Sequence, residues 1–392
     1  MRIVALSLLL LTAAAPACLN DRDTIVREVA SPPDVITALT GRFERLPPAY
    51  YQARVNRITR IARPTASDLD DLGVALDRLG RDDEALAAMA RKAAMPGLDR
   101  EQRYRLHANR GTFLAHRALA TKAPAAALKP AIADIAEAIR LKPDAHFGRE
   151  GVQLRVLRWI HRHRTDPKTP NLGFVLAREG DSGQTATALA GLIQLGNAWE
   201  SPDVVAAIGY LASESASAGQ PEDRFVRMYR RAGIYAGLRF DELKAAGRRP
   251  MDAEAESFQG QQIDSTLAPE REEIARQWRA ERNAAETRTR LRAQYVEGRI
   301  DAGSHPDTDP EFDAGWHEPM ASAAKILPDR VVLSPAHQDE LNRADRLIYG
   351  IAFGVVAFGS LATVALVRRN RAREIREREE EMSRFNARSS SY

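Results

Sequence analysis

Apolar residues recur along most of this chain at the three- and four-residue spacing of amphipathic helices, and runs of alternating β-branched residues are nearly absent. The hydrophobic and polar pattern therefore predicts an all-α protein. Alanine-rich stretches such as residues 186–198 and 204–212 favour helices that pack closely against their neighbours. The expected helices cover residues 102–119, 145–162, 185–198, 202–216 and 221–246, followed by a highly charged helix over residues 269–300.

A run of 21 uncharged residues, 347–367, departs from the amphipathic pattern. It is long enough to cross a bilayer as a helix, and the arginines that follow it favour a cytoplasmic tail, residues 368–392. The run therefore predicts a single-pass membrane protein with a C-terminal transmembrane helix. Gly350 and Gly354 have the spacing at which two membrane helices associate, but glycines are common in such helices. A homodimer and a chance spacing both stay open.

The first 17 residues have the features of a cleaved signal peptide: one positive charge, an apolar stretch and small residues at the end. The alternative is a retained N-terminal anchor. Cys18, the only cysteine, follows at once and resembles the lipidated cysteine of bacterial lipoproteins, although Ala15 and Pro16 depart from the residues preferred there. Lipidation of Cys18 and ordinary cleavage both stay open. The bulk of the chain is expected on the exported side, periplasmic or extracellular, without an internal disulfide.

Two stretches repeat a pattern of small and apolar positions. In residues 67–96, Gly80 separates two helices whose packing positions are Leu69, Leu72, Gly73, Leu76, Ala85 and Met89. The small residues let the two helices approach, and the larger residues supply the apolar seam. In residues 102–144, the second helix has matching spacings at Ala131, Ile135, Ala138 and Pro143. The connection between the helices of this second unit, residues 121–130, is longer than in the first.

These spacings resemble those of the tetratricopeptide-repeat (TPR) family, most clearly over residues 67–96 and 102–144. The resemblance implies a TPR-like solenoid of helical hairpins over residues 67–250, which binds a protein or peptide partner on its concave face. After residue 165 the matches weaken, although paired helices are still expected. The candidate partner-binding residues on that face are Asp70, Asp77, Asn109 and Arg110.

Three further segments flank the helical body. Residues 18–66 form an N-terminal segment, and residues 303–346 are rich in proline, glycine and aspartate, which predicts an extended linker. The charged helix at 269–300 has a thin apolar stripe and lacks three clean heptads. We therefore favour a helix laid across the body or held in solvent over a coiled-coil stalk that dimerises.

The formal net charge of +4 comes from the two ends of the chain. Between residues 18 and 367 the acidic and basic residues balance, and no basic patch interleaved with aromatic residues stands out. Nucleic acid is therefore not an expected partner.

No motif for a catalytic site or a cofactor stands out in the sequence. Asp307, Asp309, Glu311 and Asp313 alternate as calcium ligands do, but Phe312 and Pro310 break the EF-hand pattern, and a solvated acidic linker explains the same residues. His161 and His163 stand among arginines, which favours a helix end over a metal site. We expect no metal, no cofactor and no enzyme.

The sequence predicts a cell-envelope scaffold for protein-protein interaction; an envelope enzyme or carbohydrate-binding module, and a structural spacer, are the alternatives.

Overall fold

A computed structural model of the chain describes residues 19–24, 33–143, 145, 149–196, 198–217, 224–252, 255 and 268–317. All of them belong to one compact unit, residues 1–324. The expected signal peptide, Cys18, the apolar run at 347–367 with Gly350 and Gly354, and the tail lie outside the described residues. Among the helices described, none combines the length and the hydropathy needed to span a membrane.

The regular structure of the described residues is helical throughout, which confirms the all-α prediction. The α-helices are α1 (Val35–Thr40), α2 (Pro48–Ile58), α3 (Ala66–Arg78), α4 (Asp82–Ala93), α5 (Arg100–Ala120), α6 (Lys129–Leu141), α7 (Arg149–Thr165), α8 (Leu172–Arg178), α9 (Ser182–Gln194), α10 (Pro202–Ser217), α11 (Arg224–Ala245) and α12 (Ala268–Asp301). Two short 3₁₀ helices are η1 (Ala125–Leu128) and η2 (Ala198–Glu200).

Local sequence explains where the first helices begin and end. Thr65 and Asp68 form a reciprocal capping box at the start of α3, so two backbone N–H groups that lack helical partners are satisfied. Gly80 has a φ of 71°, a left-handed conformation that favours glycine and lets the chain reverse into α4. Asp99 caps α5 by accepting a hydrogen bond from the backbone N–H of Gln102.

Helices α3 and α4 pack as a hairpin, and α5 packs against both of them. The packing positions Leu69, Leu72, Leu76, Ala85 and Met89 are all buried. At Gly73, an added Cβ atom would lie 2.8 Å from Met89 Cε and 2.9 Å from the ring of Phe113. Glycine at this position therefore lets α3 contact its hairpin partner and the next helix at once.

Helices α5 and α6 repeat this arrangement, with η1 inside their longer connection. A Cβ atom at Gly111 would lie 2.9 Å from Ile135 Cδ1, so a glycine again faces the second helix of the pair. Ala131, Ile135 and Ala138 are fully buried. Pro143, in contrast, is exposed and follows the end of α6 at Leu141, so it stops the helix and does not pack between helices.

The long charged helix α12 packs against α1, α2 and α11. Its buried apolar residues are Ile274, Trp278, Ala285 and Val296, whereas Leu291, which the apolar stripe of the sequence includes, is exposed. Near its middle, Arg282 stacks over the ring of Trp199, with the guanidinium carbon 5.0 Å from the ring centroid; Arg239 of α11 stacks on the same ring at 3.7 Å. In the described residues α12 thus lies across the body.

Residues 303–317 differ from the extended linker expected there. They form consecutive turns, with Phe312 buried and its carbonyl oxygen accepting a hydrogen bond from Tyr295 Oη at 2.7 Å. The carboxylate of Asp307 is buried and paired with Arg54 and Arg57 of α2. Proline, glycine and aspartate here build tight turns, and these tertiary contacts hold the turns against the helices.

Replacement of Gly111 by alanine tests the close contact between α5 and α6. The added methyl group meets Ile135 and the Cβ atom of Asp134, so we expect Gly111→Ala to lower the free energy of unfolding by about 1 to 2 kcal/mol despite the better helix propensity of alanine. A Cβ atom at Gly298 of α12 meets no neighbouring atom within 4 Å, so Gly298→Ala should raise the free energy of unfolding by about 0.5 to 1 kcal/mol. Urea unfolding of both variants measures the difference, and equal effects would contradict this packing.

Candidate functional site

The short segment Leu19–Thr24 is seated on helices α2, α3 and α5. We call its contact surface the docking site and define it by Arg54 of α2, Asp71 of α3 and Asn109 of α5. Leu19 is fully buried and belongs to the same apolar cluster as the residues of the first hairpin. The segment is therefore part of the packed body.

Asn109 holds the backbone of the segment at two points. Its Oδ1 accepts a hydrogen bond from the backbone N–H of Asn20 at 2.8 Å, and its Nδ2 donates to the carbonyl oxygen of Asn20 at 3.1 Å. The same Nδ2 donates to Asp70 Oδ1 at 3.1 Å, which orients the amide. Because both contacts to the segment are to main-chain atoms, this part of the docking site recognises a peptide backbone and does not depend on one side chain.

Charged groups fix the next residues of the segment. Asp21 accepts a hydrogen bond from the backbone N–H of Thr24 at 2.9 Å, as a helix N-cap does. Arg22 contacts the Asp71 carboxylate twice: its backbone N–H donates at 3.0 Å and its Nε donates at 2.6 Å. Burial raises the pKa of Asp71, although the hydrogen bond and the charge of Arg22 oppose the rise.

Arg54 lies at the centre of the charges around the docking site. Its side chain is fully buried, and it donates hydrogen bonds to Asp21 at 3.2 Å, to Asp23 at 2.9 Å and to Asp307 at 2.6 Å. Its fourth partner is the hydroxyl oxygen of Tyr50, at 3.0 Å. A buried charge without partners is very unfavourable, so these carboxylates are needed to offset the free-energy cost of burying the guanidinium.

The electrostatics of this cluster follow from burial and pairing. Burial by itself raises the pKa of Asp307, but the hydrogen bonds and charge of Arg54 outweigh it, so the pKa lies below its usual range. Burial likewise lowers the pKa of Arg54, and the charge of Asp23 and the hydrogen bond of Asp307 reverse the shift and raise it. Arg54 and Asp307 therefore form a charged pair at neutral pH.

A second buried pair, Lys92 and Asp70, lies next to Asn109. The Lys92 ammonium donates to Asp70 at 2.6 Å, and both side chains are almost entirely buried. Burial raises the pKa of Asp70 to about 6, although Lys92 opposes the rise. Lys92 stands in α4 where Ala138 stands in α6, so the first hairpin carries an ion pair where the second carries a methyl group.

The structure brings together two of the four predicted partner-binding residues. Asp70 and Asn109 hydrogen-bond to each other beside the segment. A hydrogen bond of 2.6 Å joins Asp77 Oδ1 and His116 Nδ1, and Arg110 pairs with Asp134 at 2.6 Å. Arg110 is the one of the four with substantial side-chain exposure, 34%. A role for these residues in partner binding stays a prediction.

The candidate metal ligands of the sequence have other contacts. In the part of the chain that the structure describes, no group of three or more histidine, cysteine or acidic side chains is arranged to hold a metal ion. Asp309 pairs with Arg299 at 2.8 Å. His163 stacks on Trp159 in the last turns of α7, and its Nε2 lies 3.0 Å from the carbonyl oxygen of Met251.

Comparisons of the chain with protein-family models, with curated proteins and with solved structures gave no match. The TPR-like resemblance therefore depends on the residue spacing of the two hairpins. Sequence reasoning missed Arg54 and the segment it holds, because nothing in the local sequence distinguishes this arginine from an exposed one.

Replacement of Arg54 tests the charge cluster. Arg54→Met removes the cation that the three carboxylates share and leaves only Asp307 with another, Arg57; we expect it to lower the free energy of unfolding by about 3 to 5 kcal/mol. Arg60 is exposed and lies two residues after the end of α2. Arg60→Met should change the free energy of unfolding by less than about 0.5 kcal/mol. Urea unfolding compares the two variants; similar losses would mean that Arg54 contributes only as a surface charge.

The lowered pKa of Asp307 makes the cluster sensitive to acid. Its pKa in the folded protein lies below that of an unfolded aspartate, about 3.9, so its contribution is complete above that pH and is lost as the pH falls through the folded pKa. Asp307→Asn should therefore lower the stability at pH 7 and flatten the decline of stability below pH 4. The exposed Asp301→Asn is the control. Parallel stability curves for wild type and Asp307→Asn would count against the pairing.

Proposed function

We propose that this chain is an exported, membrane-anchored TPR-like scaffold that binds a protein or peptide partner in the cell envelope. The observation that carries the proposal is the contact of Asn109 with both main-chain groups of Asn20. A surface that already holds a short stretch of chain by its backbone has the chemistry needed to hold a peptide.

The packing of the hairpins supports a solenoid as the form of this scaffold. Helix α3 contacts α5, and each of them also contacts the second helix of its own hairpin. Gly73 and Gly111 occupy corresponding close contacts in the two units. Stacked hairpins of this kind bury a continuous core and leave one face lined by their first helices.

The proposed location follows from the sequence. An export signal at 1–17 and a membrane helix at 347–367 put the helical body on the periplasmic or extracellular side, with residues 368–392 in the cytoplasm. Lipidation of Cys18 would add a second anchor directly before the buried Leu19.

Partner capture with a charge-reversed variant tests the scaffold. Arg110 is half-exposed on α5, whereas Arg91 is an exposed arginine on α4 that makes no ion pair with a described residue. If a partner contacts the α3 and α5 face, Arg110→Glu should reduce its recovery about tenfold, the effect of losing about 1.4 kcal/mol, and Arg91→Glu should not. The readout is crosslinking of the full-length protein in its native membrane, followed by mass spectrometry.

The alternatives predict other results of the same experiment. A structural spacer would recover only lipid and the chain itself. An enzyme or carbohydrate-binding module would recover partners, if any, equally with both variants. Thermal unfolding of both variants shows whether a loss of partner comes from a loss of fold.

A further inference from the structure

A cavity of about 380 Å³ lies away from the docking site and shares no residue with it. It is bounded by α7, the end of α5, the start of α10 and the chain that follows α11. Its volume falls within the range of small-molecule sites, about 300 to 1,000 Å³.

The inner wall of this cavity is apolar. Leu119 of α5, together with Val156 and Ile160 of α7, lines it, and each of these side chains belongs to the main apolar core. Trp159 also lines the cavity, and its indole N–H donates to the carbonyl oxygen of Pro170 at 2.8 Å, which fixes the ring. A ligand in this space would contact hydrocarbon and an aromatic surface that are already in place.

Three cationic side chains line the same cavity and form no ion pair with an acidic residue that the structure describes. Arg164 is half-buried and donates to the carbonyl oxygen of Ala123 at 2.9 Å, and it forms no ion pair with a described carboxylate. Burial lowers the pKa of Arg164, and no charge of opposite sign offsets this effect. The ammonium of Lys122 and the guanidinium of Arg249 are exposed, and neither pairs with any residue that the structure describes.

The acidic groups of the cavity are already engaged. Glu200 pairs with Arg248. Asp203 is buried, and its carboxylate accepts hydrogen bonds from the backbone N–H groups of Met251 at 3.0 Å and Asp252 at 3.3 Å. The exposed charged groups of the lining that form no ion pair with a described residue, Lys122 and Arg249, are therefore both positive.

We propose that this cavity binds an amphipathic anion, with its apolar group against Leu119, Val156 and Ile160 and its carboxylate or phosphate at Arg164, Lys122 and Arg249. An anionic group would give the half-buried guanidinium of Arg164 the ionic partner that it lacks among the described residues, while an acyl chain of moderate length would fill the apolar part. The inference goes beyond the proposed scaffold function and does not depend on it.

Isothermal titration of the full-length protein with decanoate, decyl phosphate and uncharged decanol tests this site. The protein is kept in a non-ionic amphipathic polymer, because detergent would compete for an apolar cavity. We expect saturable binding of both anions and at least about tenfold weaker binding of decanol. Octanoate should bind about tenfold more weakly than decanoate, the difference expected for two buried methylene groups.

Substitutions locate the binding. Arg164→Gln and Arg249→Gln should each weaken decanoate binding about tenfold, and Arg158→Gln, an exposed arginine on α7 outside the cavity, should leave it unchanged. Vesicles that contain phosphatidylglycerol separate the two sources of such an anion: vesicle binding that Arg164→Gln removes identifies a lipid, and binding of the soluble anions alone identifies a free ligand. No saturable binding up to about 1 mM, or equal affinity in Arg164→Gln and wild type, would overturn the proposal.

Discussion

The buried guanidinium of Arg54 is the constraint on which the arrangement of this unit depends. A cation removed from water needs carboxylates in direct contact, and α2 itself supplies none. Asp21 and Asp23 come from the N-terminal segment, and Asp307 comes from the turns after α12. One side chain therefore ties two distant parts of the chain to the same helix, which explains why both parts are packed and not extended.

The helices around this cluster are spaced by small residues. Gly73 and Gly111 allow α3 and α5 to contact their neighbours closely, and the apolar side chains of α4 and α6 fill the space between them. The two hairpins differ at the position that is Lys92 in the first and Ala138 in the second, and Asp70 pairs with the charge of Lys92. Since Asp70 also orients Asn109, this ion pair links the packing of the first hairpin to the surface that holds Leu19–Thr24.

Much of the helical framework could be predicted from the sequence, because the spacing of apolar residues and the capping and turn residues act locally. Helix α5 was expected at 102–119 and occupies Arg100–Ala120, whereas α8 carries too short a periodic pattern to be recognised. Asn109 of the docking site was among the predicted partner-binding residues, but the pairing of Arg54 with Asp307 could not be predicted, since the two are 253 residues apart and each alone resembles a solvated charge. The same reasoning predicted an extended linker over residues 303–346, of which 303–317 are described and are packed in turns, because composition does not reveal which aspartate finds a buried partner.

Hydrogen exchange of the full-length protein measures most directly whether Leu19–Thr24 is held on the helices by Arg54 and Asn109. We expect slow exchange of the Asn20 amide, which donates to Asn109, and fast exchange of that amide in Asn109→Ala while α5 stays protected. Fast exchange of Asn20 in the wild type, at the rate of an unstructured chain, would contradict the account.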